Sequence, residues 1–161
     1  MTTDYKADRV GSALAGTNPT VLARLDAGFA VIGDNQHLPG YCVLISDDPG
    51  ADQLTDLDPA RQLVFLQDMA VLGRAVAAVC SRRDPQFRRI NLEIQGNTDA
   101  LLHVHVTPRY EWEPADLVGW PAALHHWEGR VEQRDALGEE YADLRAALIA
   151  ELGAQQARRR G

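Results

Sequence analysis

The feature that most constrains the fold is an alternating stretch at Leu101–Thr107, LLHVHVT. Successive side chains of an extended chain point to opposite faces. One face then carries Leu102, Val104 and Val106, and it is entirely apolar. The other face carries Leu101, His103, His105 and Thr107. The stretch therefore predicts a half-buried strand that packs its apolar face on a core and presents two imidazoles on the opposite side.

Turn residues and apolar periodicity divide the rest of the chain into strands and helices. Strands are predicted at Gly28–Gly33, Tyr41–Ile45, Phe87–Gln95 and Leu102–Val106, with Pro108 ending the last one. Helices are predicted from Asp58-Pro59 to about Arg82 and from Gly138 to about Gln156. The turn at Gly96–Asp99 predicts that the strands on either side of it pair antiparallel.

These elements predict an α+β fold, an antiparallel sheet with helices gathered on one face. A chain of 161 residues that is 45% apolar can bury one sizeable core. We therefore expect a main domain over residues 27–130 and a helical N-terminal extension over residues 1–26. Residues 131–161 should form a C-terminal helix and a basic tail. The terminal Arg158-Arg159-Arg160 is expected to be solvated, with docking as the alternative.

The formal charge of −7 argues against a groove for a nucleic-acid polymer, because such binding needs many contacts from Lys and Arg to phosphates. A small phosphorylated ligand remains possible, since a few aimed donors can hold it. Neither a membrane span nor a secretory signal is readable, so the expected location is the cytoplasm. Cys42 and Cys80 lack the spacing of a disulfide framework or a metal knuckle, which predicts two ordinary buried thiols.

The imidazoles of His103 and His105 suit phosphoryl chemistry. They lie about 7 Å apart along a strand. One can attack phosphorus as a neutral nucleophile while the other, protonated, steadies a phosphate oxygen or the leaving group. Spacing alone also allows a surface pair without function, or two of three metal ligands. A third ligand is not visible, because His37, His125 and His126 lie in irregular segments.

The segment His103-Val-His-Val-Thr-Pro-Arg109 resembles the end of the signature of the histidine triad (HIT) superfamily, in which three alternating histidines precede Pro-Arg. The order of the surrounding elements is similar as well. The strand pair around Pro39-Gly40, the helix entry before Pro59 and the strand Ile90–Asn97 all have counterparts in that family. The resemblance covers roughly Gly28 to Tyr110.

The resemblance implies that His103 is the family's nucleophile and His105 its last histidine, and both are our candidate catalytic residues. The family's first histidine falls on Leu101, which has no imidazole. Tyr41 stands where the family has a histidine after Pro-Gly, so the site lacks two supporting histidines.

The family's phosphate-binding loop is shorter here, so substrate contacts are expected from Gln95, Asn97 or Thr98. Asn97 is preferred, although Gly-Asn is also a common turn dipeptide. Asp34 is a candidate for binding ribose hydroxyls, with the reservation that an ungapped alignment places Gly33 at the family's position. Arg109 is either a structural cation that closes the strand or a phosphate contact.

The leading hypothesis is a nucleotide hydrolase or nucleotidyl transferase that acts at the α-phosphate of a dinucleoside polyphosphate or nucleotide conjugate, through a nucleotidyl intermediate on His103. No cofactor or metal is required for the attack, although Mg²⁺ could accompany a polyphosphate.

Two other hypotheses remain open. The chain could be a catalytically weak nucleotide-binding or sensing protein, or it could bind a metal through His103, His105 and a distant ligand. We also expect a homodimer. By resemblance its contact would involve the long helix and the segment after Tyr110, where three tryptophans, Trp112, Trp120 and Trp127, are concentrated.

Overall fold

The structure is a computed structural model that describes residues 4–127, 132 and 135–160, without the side chains of His126, Trp127 and Arg160. Five strands are present in that part of the chain: β1 (Val21–Arg24), β2 (Gly28–Ile32), β3 (Cys42–Ser46), β4 (Phe87–Glu93) and β5 (His103–Tyr110). It also contains four α-helices: α1 (Arg9–Leu14), α2 (Pro59–Arg83), α3 (Ala123–Trp127) and α4 (Ala142–Arg160).

The strands form one antiparallel sheet in the order β1-β2-β3-β5-β4, which confirms the predicted α+β class. Strand β5 lies between β3 and β4, with His103 opposite Ile45 and His105 opposite both Val43 and Glu93. The two histidines therefore stand on an interior strand, next to the edge strand β4.

One face of the sheet carries the main core, built on the long helix α2. Asp58 caps this helix by accepting hydrogen bonds from the Ala60 and Arg61 amides, and Pro59 occupies its first turn. Its buried face contacts the apolar face of β5, where Leu102, Val104 and Val106 are buried as the alternating pattern predicts. Helix α4 adds Leu144, Leu148 and Leu152 to the same cluster. Helix α2 is long and apolar enough to cross a membrane, but it is a buried core helix here.

The opposite face holds the two histidines and a smaller apolar cluster. Ala13 of α1 packs there against Phe29, Val31 and Ile45, with Leu101 beside them. The predicted helical extension thus differs from the structure in two respects. Helix α1 lies on the face that carries the histidines, and Val21–Arg24 is a strand, β1, paired with β2. The two strands form a hairpin with only three residues between them, and a strand of four residues is too short to show a clear alternating pattern in the sequence.

The expectation that Pro108 ends the last strand is wrong. Strand β5 continues to Tyr110, and Pro108 pairs with Ile90 of β4. Proline lacks an N–H donor, and it is tolerated where one side of a strand has no partner. Pairing with β3 ends at Val106, so Pro108 occupies such a position.

The expectation of a solvated C-terminal tail is also wrong for Arg159, which belongs to α4. Its guanidinium contacts the fully buried Asp68 at 2.8 Å and Asp26 at 3.1 Å. Asp68 also accepts a hydrogen bond from the Ala27 amide, so this cluster fastens the end of α4 to the start of β2. The predicted domain boundary at residues 130 and 131 lies outside the described residues.

Candidate active site

The two candidate catalytic histidines lie side by side on β5, as the alternation predicts. Their ring centroids are 4.8 Å apart, with the ring planes at 80° to each other. His103 is only 9% exposed, whereas His105 is intermediate in exposure. The two side chains therefore differ in environment.

A main-chain oxygen sets the tautomer of His103. Its Nδ1 lies 2.7 Å from the carbonyl oxygen of Leu101. A carbonyl only accepts hydrogen bonds, so Nδ1 must carry the proton and donate it. In the neutral imidazole, Nε2 is then the nitrogen with the lone pair. This is the arrangement that a nitrogen nucleophile requires.

His105 is held by Tyr41. The phenol oxygen lies 2.7 Å from Nδ1 of His105, and the two rings are stacked with 11° between their planes. Burial raises the pKa of Tyr41, so its hydroxyl keeps its proton near neutral pH. Donation from this hydroxyl to Nδ1 leaves Nε2–H of His105 as a donor to a ligand.

The expectation of a protonated second imidazole differs from the structure. Burial, and to a smaller extent the neighbouring His103, together lower the pKa of His105 to about 4. Near neutral pH the unliganded site therefore contains a neutral His105. A phosphate anion against the ring would shift this balance back toward the charged form.

The loop that holds Tyr41 is fixed by a buried glutamine. Gln36 donates from Nε2 to the carbonyl oxygens of Gly33 and Tyr41, and it accepts from the Gly40 amide. Gly40 has a φ of 99°, a left-handed conformation that favours glycine, and a Cβ there would lie 2.3 Å from Sγ of Cys80. These contacts explain why the Pro-Gly sequence precedes the tyrosine.

The predicted substrate-binding residues occupy different positions. Gln95 lines a pocket beside His105. Asn97 and Thr98 are exposed in the loop between β4 and β5. The negative charge of their neighbour Asp99 acts to raise the pKa of His105, because this loop lies near the site. No pattern in the sequence distinguishes Asp99 as a site residue.

The Asp34 carboxylate contacts the N-terminal segment. Its Oδ1 accepts from the hydroxyl of Tyr5 at 2.6 Å, and its Oδ2 accepts from Arg9 at 2.7 Å. Burial alone would raise the pKa of Asp34, but these hydrogen bonds outweigh it and leave the pKa below its usual value. Both carboxylate oxygens of the predicted ribose ligand are therefore occupied by protein groups.

A pocket with about 600 Å³ of empty space, part of it open to solvent, lies beside His105. Its walls combine apolar side chains with polar side chains from four parts of the chain. They are Asn35, His37, Leu38, Tyr41, Glu93, Gln95, His105, Thr107, Ala122, Ala123 and His125. A pocket of this size and mixed lining is typical of a small-molecule site.

The wall of this pocket that His37 and His125 form is held in place by a series of polar contacts. Nε2 of His37 lies 3.0 Å from Nδ1 of His125, and Nε2 of His125 lies 3.3 Å from the buried carboxylate of Glu113. On the other side, Nδ1 of His37 lies 3.4 Å from Asp135. Both histidines lie in segments that are irregular in the sequence, and no local signal links them to Glu113. His126 lies among the side chains that the structure does not describe.

Arg109 is a structural cation, one of the two roles that the sequence left open. Its guanidinium makes three hydrogen bonds to Glu113 and others to the carbonyl oxygens of Leu117, Val118 and Trp120. The side chain is 4% exposed and closes the irregular segment after β5. Within residues 4–127, 132 and 135–160, no group of three or more His, Cys, Asp or Glu side chains is arranged to hold a metal ion.

No protein-family model and no curated protein matches the sequence. Solved structures do match. The chain is 21% identical to a histidine triad protein from Bradyrhizobium japonicum, with a TM-score of 0.66 over 82% of this chain and 89% of the other. It is 19% identical to a histidine triad protein from Marinobacter aquaeolei, with a TM-score of 0.65 over 84% and 89%. It is 12% identical to a hypothetical histidine triad nucleotide-binding protein from Sulfolobus tokodaii, with a TM-score of 0.62 over 90% and 91%.

These structural neighbours confirm the resemblance at the level of the fold. The histidine triad fold extends beyond the strand that carries the motif and includes most of the chain. The sequence resemblance alone places Leu101 where the family has its first histidine.

Proposed function

We propose that this chain is a nucleotide-binding hydrolase or nucleotidyl transferase that acts at the α-phosphate of a nucleotide conjugate or dinucleoside polyphosphate. The observation that carries the proposal is the hydrogen bond from Nδ1 of His103 to the oxygen of Leu101. It leaves Nε2 with a lone pair on the face of the sheet that also carries His105 and Tyr41. The ligand class is supported by a structural neighbour of the same fold that is described as a hypothetical histidine triad nucleotide-binding protein.

In the proposed reaction, Nε2 of His103 attacks phosphorus, and a P–N bond replaces the bond to the leaving group. The leaving group departs with its electron pair and takes a proton from bulk water. The imidazole becomes positively charged on phosphorylation, and the carbonyl of Leu101 stabilises that charge through Nδ1–H. Water, or a second acceptor in a transferase, then attacks phosphorus, loses a proton and restores the neutral His103.

His105 acts as a hydrogen-bond donor in this proposal. Its Nε2–H would contact a phosphate oxygen as negative charge develops there, with Tyr41 fixing the ring from the other side. In the unliganded site this donor is neutral, because the pKa of His105 is lowered to about 4. No metal carries a step. Mg²⁺ remains possible as part of a polyphosphate substrate.

A kinetic comparison of two variants tests the proposal. His103→Asn should abolish turnover while nucleotide affinity stays within about tenfold, because a nucleophile acts mainly in the transition state. His105→Ala should lower the rate by a factor of about 10² to 10⁴. Equal turnover in His103→Asn and the parent would exclude the mechanism.

A nucleotide-binding or sensing protein with weak catalysis is the second candidate. Two observations favour it: Leu101 replaces the first histidine, and Asp34 is occupied by Tyr5 and Arg9. Such a protein would bind nucleotides in the same pocket and show no burst of product. A single-turnover assay separates the two candidates.

The predicted homodimer remains a proposal. Leu63 on α2 is 63% exposed and Trp120, in the segment after β5, is 58% exposed. These are the two regions in which the contact is expected, and large exposed apolar side chains are common at interfaces. The side chain of Trp127 lies outside the described part. Sedimentation showing only monomer at micromolar concentration would contradict a dimer.

A further inference from the structure

We propose that His37 and His125 together hold one proton more than two neutral imidazoles, and that loss of this proton loosens the wall that they form in the pocket beside His105. The inference concerns the contacts of the pocket wall, and nothing in it depends on a nucleophile at His103. Only its consequence for turnover rests on the proposed function, because a substrate would bind in the same pocket.

Glu113 determines the protonation at one end of this histidine pair. Its buried carboxylate accepts hydrogen bonds from the Arg109 guanidinium and from the Tyr110 amide. Nε2 of His125 lies 3.3 Å from the same carboxylate. A nitrogen lone pair would face negative charge at that distance, so Nε2 of His125 has to carry a proton.

Asp135 determines the protonation at the other end of the pair. Its Oδ2 accepts a hydrogen bond from the Glu132 amide and lies 3.4 Å from Nδ1 of His37. The backbone keeps these groups together, because the Gln36 amide donates to the carbonyl oxygen of Asp135. Nδ1 of His37 therefore faces a carboxylate, and it also has to carry a proton.

The contact between the two rings requires a third proton. Nε2 of His37 lies 3.0 Å from Nδ1 of His125, so one of these two nitrogens must donate to the other. Together with the two nitrogens that face carboxylates, three of the four ring nitrogens carry protons. Two neutral imidazoles carry only two. The contacts in the structure are therefore complete only when the pair holds one positive charge.

The positive charge belongs on His37. The side chain of His125 is 1% exposed and that of His37 is 20% exposed, and burial disfavours a charged group. Asp135 balances the charge on His37 directly, whereas Arg109 already balances the carboxylate of Glu113. His37 therefore donates from both ring nitrogens, and His125 is a neutral ring between His37 and Glu113.

The other ionisable side chains that line the pocket are Tyr41, Glu93 and His105. Burial raises the pKa of Tyr41 and lowers the pKa of His105 to about 4, so both are uncharged near neutral pH. Glu93 ends β4 opposite His105, and its carboxylate favours a positive charge in the pocket. A change of charge on the histidine pair can therefore be measured apart from the titration of His105.

Loss of the third proton breaks one contact in the pocket wall. With two ring protons left, one lone pair faces a carboxylate or the other imidazole, and two acceptors repel each other. His37 belongs to the loop before Tyr41, and His125 belongs to α3, so the broken contact loosens α3 from this loop. Because the closed wall binds one more proton, it is favoured at low pH and is lost as the pH rises.

NMR of the ring nitrogens counts these protons directly. Spectra of ¹⁵N-labelled protein are recorded between about pH 5.5 and 8.5, where imidazoles ordinarily change charge. The chain has five histidines, so the signals of His37 and His125 are those that remain in each of His103→Asn, His105→Asn and His126→Asn. We expect three protonated nitrogens in the pair at the acidic end of this range and two at the alkaline end. A constant count across the range would overturn the inference.

Amide hydrogen exchange shows whether the wall loosens. The amides of Leu124 and His125 donate to the carbonyl oxygens of Pro121 and Ala122, so their exchange reports on α3. After correction for the intrinsic rate at each pH, both should exchange at least about tenfold faster once the third proton is lost. Loss of the proton with unchanged protection of these amides would also overturn the inference.

Two substitutions test whether the effect is specific to the pair. Asp135→Asn supplies an amide that can donate to a lone pair on Nδ1 of His37, so the pH dependence of exchange should fall to within about twofold. Asp143→Asn removes the same charge from the exposed first turn of α4 and should preserve the tenfold change. An unchanged pH dependence in Asp135→Asn would overturn the inference. None of these measurements uses turnover, so such a result would leave the proposed function standing.

Discussion

Nδ1 of His103 donates a hydrogen bond to the carbonyl oxygen of Leu101, at 2.7 Å. Position 101 is therefore connected to the candidate nucleophile through its backbone. Its side chain packs against the small cluster of Ala13, Phe29, Val31 and Ile45. Any residue at position 101 keeps the carbonyl, so the tautomer of His103 does not depend on an imidazole there.

The first prediction concerns Leu101→His, which restores the family's first histidine. Turnover should change by less than tenfold, because the carbonyl that orients His103 is retained. The free energy of unfolding should fall by about 1 to 2 kcal/mol, because a half-buried apolar side chain is lost. Leu101→Ala is the control and should show a similar loss of stability. A gain in rate well above tenfold would indicate a decayed enzyme retained for binding.

The second prediction concerns the pH dependence of stability. The pKa of His105 is about 4 in the folded protein, below its ordinary value of 6.5. The unfolded chain therefore binds more protons between these two values, and the stability contributed by a neutral His105 is lost as the pH falls from 6.5 toward 4. The difference in unfolding free energy between the parent and His105→Asn should shrink across this window in urea titrations. A difference that stays constant with pH would contradict a neutral, buried His105.

The third prediction concerns the structural role of Arg109. Arg109→Met should lower the free energy of unfolding by about 3 to 5 kcal/mol, because it leaves the buried carboxylate of Glu113 without its cation. Arg89 pairs with Arg109 across the sheet but is exposed, so Arg89→Met should change stability by only about 0.5 kcal/mol. Chemical denaturation measures both variants. Similar stability for the two variants would contradict the role assigned to Arg109.

The fourth prediction concerns Asp34. Both of its oxygens contact the N-terminal segment, so Asp34→Asn should weaken the affinity for ribonucleotides and 2′-deoxynucleotides equally or leave both unchanged. The same substitution should expose the segment around Tyr5 to limited proteolysis, because the ion pair with Arg9 is lost. Selective loss of ribonucleotide affinity would instead indicate that Asp34 binds the ribose hydroxyls.

Local sequence predicts the parts of this fold where the arrangement of apolar residues or of helix-capping residues is compatible with only one structure. The alternation at Leu101–Thr107 places Leu102 in the core and His103 on the opposite face, because a strand has a period of two. The Asp58-Pro59 pair determines the start of α2 for an equally local reason. The Asp58 side chain caps the helix, and the ring of Pro59 fixes its φ at a helical value.

The remaining features depend on contacts between distant parts of the chain. His37 and His125, 88 positions apart in the chain, meet at 3.0 Å only after the segment that follows β5 has folded back over the sheet. The tautomer of His103 and the lowered pKa of His105 likewise depend on interatomic distances and burial in the folded chain, which the spacing of residues in the sequence does not reveal.

The most direct test of the central claim is a search for a covalent nucleotide on His103. The protein is mixed with a panel of nucleotide conjugates and dinucleoside polyphosphates, quenched within one turnover at alkaline pH to preserve a P–N bond, and analysed by peptide mass spectrometry. We expect one nucleoside monophosphate on the peptide that contains His103, absent in His103→Asn and retained in His105→Asn at a lower rate. Product release without any adduct on His103, or an adduct on His105 instead, would contradict the account.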